Sequence, residues 1–129
     1  MLSINNQQRY FLYGDVVDMR KGFDSLCGIV LSACKMDPLS GDVYIFLSRT
    51  KTKIKLLQWQ QDGFAIYYKR LEKGTFEHVE KNGASVALIS AQQLMLIMEG
   101  IQLSSIKKRA RYHHSDVYKI IENNLLTSH

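Results

Sequence analysis

Proline occurs once in these 129 residues, at Pro38, tryptophan once, at Trp59, and cysteine twice. So little proline beside 46% hydrophobic residues excludes a disordered chain or linker-joined modules and points to a globular chain. Cys27 and Cys34 are seven residues apart in a helical pattern. That spacing puts their Cα atoms about 10 Å apart and excludes a disulfide between them. His78, His113, His114 and His129 show no paired spacing with these thiols, so no zinc site and no cofactor is expected. No apolar run approaches the ~20 residues of a membrane span, and Met1 to Arg9 is too polar for a signal peptide. The expectation is a cytoplasmic protein without membrane contact.

Catalytic signatures are missing as well. The chain has no P-loop, no paired GxGxxG unit, no HExxH and no GxSxG. Asp15, Asp18, Asp24, Asp37, Asp42 and Asp62 mostly fall at cap and turn positions, where aspartate has a structural task. An enzyme is not expected, and no catalytic residue is assigned.

What the chain does have is unevenly placed positive charge, with a formal net charge of +5. Residues 1–48 carry 4 basic and 5 acidic side chains, residues 49–73 carry 7 and 2, and residues 74–129 carry 6 and 5. The excess therefore sits in one short span, which favours a polyanion partner over a uniformly basic surface.

The periodicity predicts an α+β fold: an antiparallel β-meander of four or five strands covered by one main helix, with a second, shorter helix. Arg9 to Tyr13 reads as a first strand. Phe23, Leu26, Cys27, Val30, Ala33 and Cys34 then recur at helical spacing, with Asp18 as N-cap and a helix reaching Lys35 before Asp37-Pro38. Val43 to Ser48, Lys53 to Gln60 and Phe64 to Arg70 read as strands. The last two are joined at Asp62-Gly63, the chemistry of a two-residue type I′ loop. That loop would pair Gln61 with Phe64, Trp59 with Ile66, Leu57 with Tyr68 and Lys55 with Arg70. Thr75 to Val79 and Ser85 to Ile89 are weaker strands. Ser90 caps a helix over Ala91 to Glu99 that ends at Gly100, expected at the sheet's edge or beside the first helix. Residues 1–103 thus read as one α+β domain, and 104–129 as a basic C-terminal extension with a short helix at Asp116 to Leu126.

Arg49, Lys51, Lys53 and Lys55 lie two apart, so an extended segment projects them from one side, continued by Leu57 and Trp59. With Lys69, Arg70 and Lys73 they form a candidate set of phosphate contacts. The competing reading is a solvated, aggregation-resistant strand end, and Trp59, Ile66 and Tyr68 are more often core, which leaves the binding reading to the cations. Lys107, Lys108, Arg109 and Arg111 form a second basic cluster, open between a phosphate grip and an ordinary solvated surface.

Three segments now stand together: Asp18-Met19-Arg20-Lys21-Gly22-Phe23-Asp24, Asp37-Pro38-Leu39-Ser40-Gly41, and the run from Trp59-Gln60-Gln61-Asp62-Gly63 through Gly74. In this order and spacing, over roughly Arg9 to Leu103, the chain resembles the TnpB accessory-protein family of bacterial insertion sequences. That family is the small second-reading-frame product and not the RNA-guided nuclease of the same name. The resemblance implies a role in DNA transposition beside a separate transposase, with no established catalytic residues. It makes the insertion-sequence ends and the transposase the expected partners and leaves self-association open. The chain departs from the family pattern at Gln58 and Ala65, where relatives often carry aromatic residues. Two functions fit: DNA binding through the basic hairpin, and a protein-interaction module that docks the transposase or a companion protein without touching DNA.

Overall fold

The computed structural model describes residues 3–77 and 84–100. Seven elements follow one another: β1 (Tyr10–Val16), α1 (Phe23–Ser32), β2 (Val43–Leu47), β3 (Lys53–Trp59), β4 (Phe64–Arg70), β5 (Val86–Ile89) and α2 (Ala91–Glu99). The strands form one five-stranded sheet in the order β4-β3-β2-β1-β5. The fold is α+β, but the sheet is mixed and not a pure antiparallel meander. β1 and β2 pair in parallel, with Tyr10 opposite Val43 and Leu12 opposite Ile45, while the remaining pairs are antiparallel. The cause is α1: a helix between two neighbouring strands returns the chain to its starting end, so the second strand runs like the first.

Each face of the sheet has its own helix. On one, Leu26 and Val30 of α1 pack against Phe11, Tyr44, Phe46 and Leu57. On the other, Leu94 and Ile97 of α2 pack against Tyr10, Leu12, Ile45, Ile54 and Leu56. α2 therefore lies across the sheet from α1, and not at its edge or alongside α1. β2 explains the arrangement, since all five of its residues are buried, as a central strand covered on both sides requires. Among the described residues no helix is long and apolar enough to cross a membrane.

α1 starts later than its pattern predicts. Gly22 occupies the N-cap without a side-chain hydrogen bond, and Asp18 lies upstream in a turn closed by the Lys21 N–H on the Asp18 carbonyl (3.1 Å). α2 matches its expected bounds. Ser90 and Gln93 form a reciprocal capping box, and Gly100 takes the left-handed C-cap at φ 75°. Cys27 and Cys34 are free, and burial pushes both thiols up, which favours their protonated form.

The β3–β4 hairpin turns one residue earlier than the Asp62-Gly63 loop would make it. Trp59 faces Phe64, Leu57 faces Ile66, Lys55 faces Tyr68 and Lys53 faces Arg70, two residues away from the expected register. The Gln60 N–H donates to the Gly63 carbonyl (2.8 Å), so the tip is Gln61-Asp62. Positive φ falls on Gln61 (66°) and not on Gly63, and the Asp62 N–H closes a three-residue turn on the Gln60 carbonyl (2.7 Å). A two-residue slip preserves the pleat, so each side chain keeps its face. Gln58 and Ala65, the two departures from the family pattern, turn out to be directly opposed cross-strand partners. Thr75 to Glu77 is not a strand. Phe76 is nevertheless buried, and its N–H bonds the Lys51 carbonyl (2.8 Å). The rest of that expected strand, and the expected helix at Asp116 to Leu126, lie outside the described residues.

Candidate nucleic-acid interface

Three crossings meet at one end of the sheet, opposite the Gln61-Asp62 tip: the connection from β1 to α1, the β2–β3 turn and the exit from β4. The first is fastened by backbone. The Val17 N–H donates to the Leu47 carbonyl (2.9 Å), joining residues 17–22 to the end of β2. The second is a tight turn. The Lys51 N–H donates to the Ser48 carbonyl (3.0 Å), Lys51 takes φ 61°, and the Ser48 hydroxyl accepts from the Lys53 N–H (3.1 Å). The third is tied to the second, because the Leu71 N–H bonds the Thr52 carbonyl (2.8 Å).

This geometry separates the basic residues that even spacing had grouped. Arg49 and Lys51 belong to the turn, so the two-residue alternation holds only for Lys53 and Lys55 in β3. Lys55 faces inward and is only 7% exposed. Its Nζ donates to the carbonyls of Met19 (2.8 Å) and Lys21 (2.7 Å) and lies 4.7 Å from the centre of the Tyr68 ring. An ammonium in the low-dielectric interior needs such acceptors, and here it finds them in the Asp18–Gly22 segment. Lys55 is thus committed to holding that segment and has no free donor surface to offer a ligand.

The other described cations reach solvent. Arg49, Lys69, Arg70 and Lys73 are exposed, and Lys51 and Lys53 are half-exposed. Arg70 donates to Glu72 (2.8 Å), an exposed pair that solvent screens. Arg49, Lys51, Lys53, Lys69 and Lys73 make no side-chain ion pair among the described residues. Lys69 lies on the α2 side with Tyr67 and Leu71, whereas Lys53 and Arg70 lie on the α1 side. Lys107, Lys108, Arg109 and Arg111 lie outside the described residues.

A second contribution comes from the β1–α1 connection, where the sequence leaves Arg20 and Lys21 open between joining the basic surface and a salt bridge to Asp24 or Asp18. Arg20, exposed, lines an open cleft of about 540 Å³ together with Asp18, Ser48, Arg49, Thr50, Lys53 and Tyr68. It is held by Asp18 in a fork, Nη2 to Oδ2 at 2.6 Å and Nε to Oδ1 at 3.1 Å. The Arg20 guanidinium and backbone N–H hold the Asp18 carboxyl well below the usual carboxylate range. A signal for the tie to this segment was Lys55 itself, a lysine set between Ile54 and the pair Leu56-Leu57 in a strand. A charge in such a stretch has to reach polar atoms from another segment.

Apolar groups flank the basic end. Phe23 and Tyr68 are 48% and 49% exposed, while Trp59 and Phe64 are half-buried and meet edge to face at 5.0 Å near the hairpin tip. The Asp37–Asp42 segment, by contrast, is structural. Tyr44 donates its hydroxyl to the Asp37 carbonyl (2.9 Å), the Ser40 hydroxyl donates to Asp42 (3.0 Å), and Arg9 grips buried Asp42 with two donors (2.8 and 3.0 Å). Among the described residues no cluster of His, Cys, Asp or Glu is arranged to hold a metal.

No solved structure matches the chain. It is 32% identical to the uncharacterized protein y4hO of Sinorhizobium fredii over 101 residues, 78% of this chain and 87% of that protein. It is 29% identical to the uncharacterized protein y4jC of the same organism over 94 residues, 72% and 79% of the two chains. A family model described as IS66 Orf2 like protein matches residues 8–108, taking in all three sequence segments and the whole basic end of the sheet. The chain belongs to the IS66 Orf2-like family of transposition-associated accessory proteins.

Proposed function

We propose that the chain is a non-catalytic accessory protein of transposition that binds DNA through the basic end of its sheet. The observation that carries this reading is the convergence of Arg49, Lys51, Lys53, Lys69, Arg70 and Lys73 on one end, with all but Arg70 free of ion pairs among the described residues. Cations with no ion pair to break can neutralise phosphates and release counterions, which gives affinity without sequence preference. Lys55 is not part of this set, because its ammonium is already satisfied.

The test is the salt dependence of binding to insertion-sequence end DNA. Replacing Arg49, Lys51 and Lys53 with alanine should weaken binding and reduce the slope of log K against log salt by about 0.9 for each phosphate no longer neutralised. An unchanged slope in a folded triple variant would rule the surface out.

A second reading has its own observation, the exposed Phe23 and Tyr68 rings flanking the basic end. Aromatic groups of this kind anchor protein interfaces. Co-purification of the transposase in nuclease-treated extract, abolished by Phe23→Ala, is the expected result if docking is the main task.

A further inference from the structure

We infer that the cleft between the β1–α1 connection and the β2–β3 turn is a nucleotide-sized pocket for unpaired DNA, with the phosphate held by Arg49, Lys53 and Arg20 and the base stacked on Tyr68. This rests on the DNA-binding reading and narrows it from polyanions in general to single-stranded substrate.

The walls of the cleft carry the inference. Cations come from the β1–α1 connection, the β2–β3 turn and the start of β3, and the Ser48 and Thr50 hydroxyls add short hydrogen-bonding groups between them. A volume of about 540 Å³ falls in the range of small-ligand sites and is larger than a lone phosphate needs. Tyr68 supplies what a duplex backbone cannot use. Its ring has the Lys55 ammonium against it at 4.7 Å, yet the residue stays 49% exposed and lines the cleft. An exposed ring beside phosphate-binding cations is the arrangement by which proteins hold single strands, one base on one aromatic face. A paired base has its faces covered by its neighbours and cannot reach such a ring. Lys55 gives the site rigidity, because it ties the Asp18–Gly22 wall to β3 through two carbonyls.

Asp18 is the group that opposes an anion here. Its carboxylate lines the cleft and occupies Arg20. A phosphate entering the cleft competes with Asp18 for that guanidinium. Asp18→Asn removes the negative charge and keeps an oxygen for the Arg20 N–H bond (2.9 Å), so it should tighten binding several-fold.

The experiment measures affinities of the full chain for a fluorescent oligothymidylate and for a duplex of the same length, at one salt concentration, in the wild type and in Tyr68→Ala, Tyr68→Phe and Asp18→Asn. Circular dichroism melts confirm that each variant is folded. The expected result is a loss of about 10-fold or more in single-strand affinity on Tyr68→Ala. Duplex affinity stays within 2-fold of wild type, Tyr68→Phe is near wild type, and Asp18→Asn binds tighter. If Tyr68→Ala leaves single-strand binding unchanged, or weakens both substrates equally, the pocket is overturned while the broader DNA reading stands. If neither oligonucleotide binds the wild type, both fall. Weaker binding by Asp18→Asn would overturn the place given to Arg20.

Discussion

Two residues at the basic end have tasks opposite to those their types suggest. Lys55, one of an evenly spaced basic series, is an interior strut whose ammonium bonds two backbone carbonyls. Hydrogen bonds from charged donors contribute about 1.5–3 kcal/mol, and removing the ammonium takes away two of them together with the packing of the lysine stem. Lys55→Ala is therefore expected to destabilise the protein by about 2 kcal/mol or more in chemical denaturation, whereas Lys53→Ala, half-exposed and unpaired, should fall within about 0.5 kcal/mol of wild type. Asp18 makes the second reversal. Expected to cap α1, it instead binds Arg20, whose side chain is 91% exposed. Because the folded state holds this carboxyl below its usual range, its contribution to stability is complete above about pH 4 and is lost as the pH falls below that. In a carbon-13 titration the Asp18 carboxyl should titrate below the usual carboxylate range, and Arg20→Ala should move it upward, with the backbone N–H of residue 20 still holding it part of the way down. An ordinary value in the wild-type protein would contradict the fork.

Among the elements, the β3–β4 hairpin shows what a local pattern can and cannot fix. The bounds of β4 and the assignment of side chains to faces were readable from alternation, but the turn was not. Asp-Gly signals a loop of the right kind, yet the positive φ sits on Gln61, since the pairing of Trp59 with Phe64 pulls the tip one residue toward the N-terminus. A non-glycine residue in the left-handed region is strained by roughly 1 kcal/mol. Gln61→Gly should consequently be neutral or raise stability by up to about 0.5 kcal/mol despite the entropy that glycine adds to the unfolded chain. Thermal melts of Gln61→Gly and Gln61→Val should separate in that order, with the β-branched variant least stable. The bounds of α2 were legible because their signals are local, a serine cap, a helical stripe and a closing glycine, whereas its place across the sheet from α1 was not. The parallel pairing of β1 with β2 was less visible. The strand-helix-strand order could be read along the chain, but strand direction depends on how α1 packs, and a run of later antiparallel strands suggested a meander throughout.

For the molecule as a whole, a sheet covered by one helix on each face leaves the loops at its ends open to solvent, and the proposed DNA surface lies there. Among the described residues, the end bearing Gln61-Asp62 has little positive charge. The opposite end gathers the β1–α1 connection, the β2–β3 turn and the exit from β4, and with them most of the cations of residues 49–73. That concentration was legible from counting charge along the chain. The sequence left Arg20 open between that basic surface and a pair with Asp18, but the tie that brings its segment to β3 was not legible, because it is a contact between segments 34 and 36 residues apart, made by Lys55. The central claim is that DNA meets this end of the sheet and no other. Amide chemical-shift perturbation of nitrogen-15-labelled protein, titrated with insertion-sequence end DNA, tests it most directly. Shifts should concentrate in Asp18–Lys21, Arg49–Lys53 and Lys69–Lys73 and leave Gln60–Gly63 and the exposed side of α2 in place. Shifts centred on the Gln60–Gly63 tip or on α2, or none at saturating DNA, would contradict it.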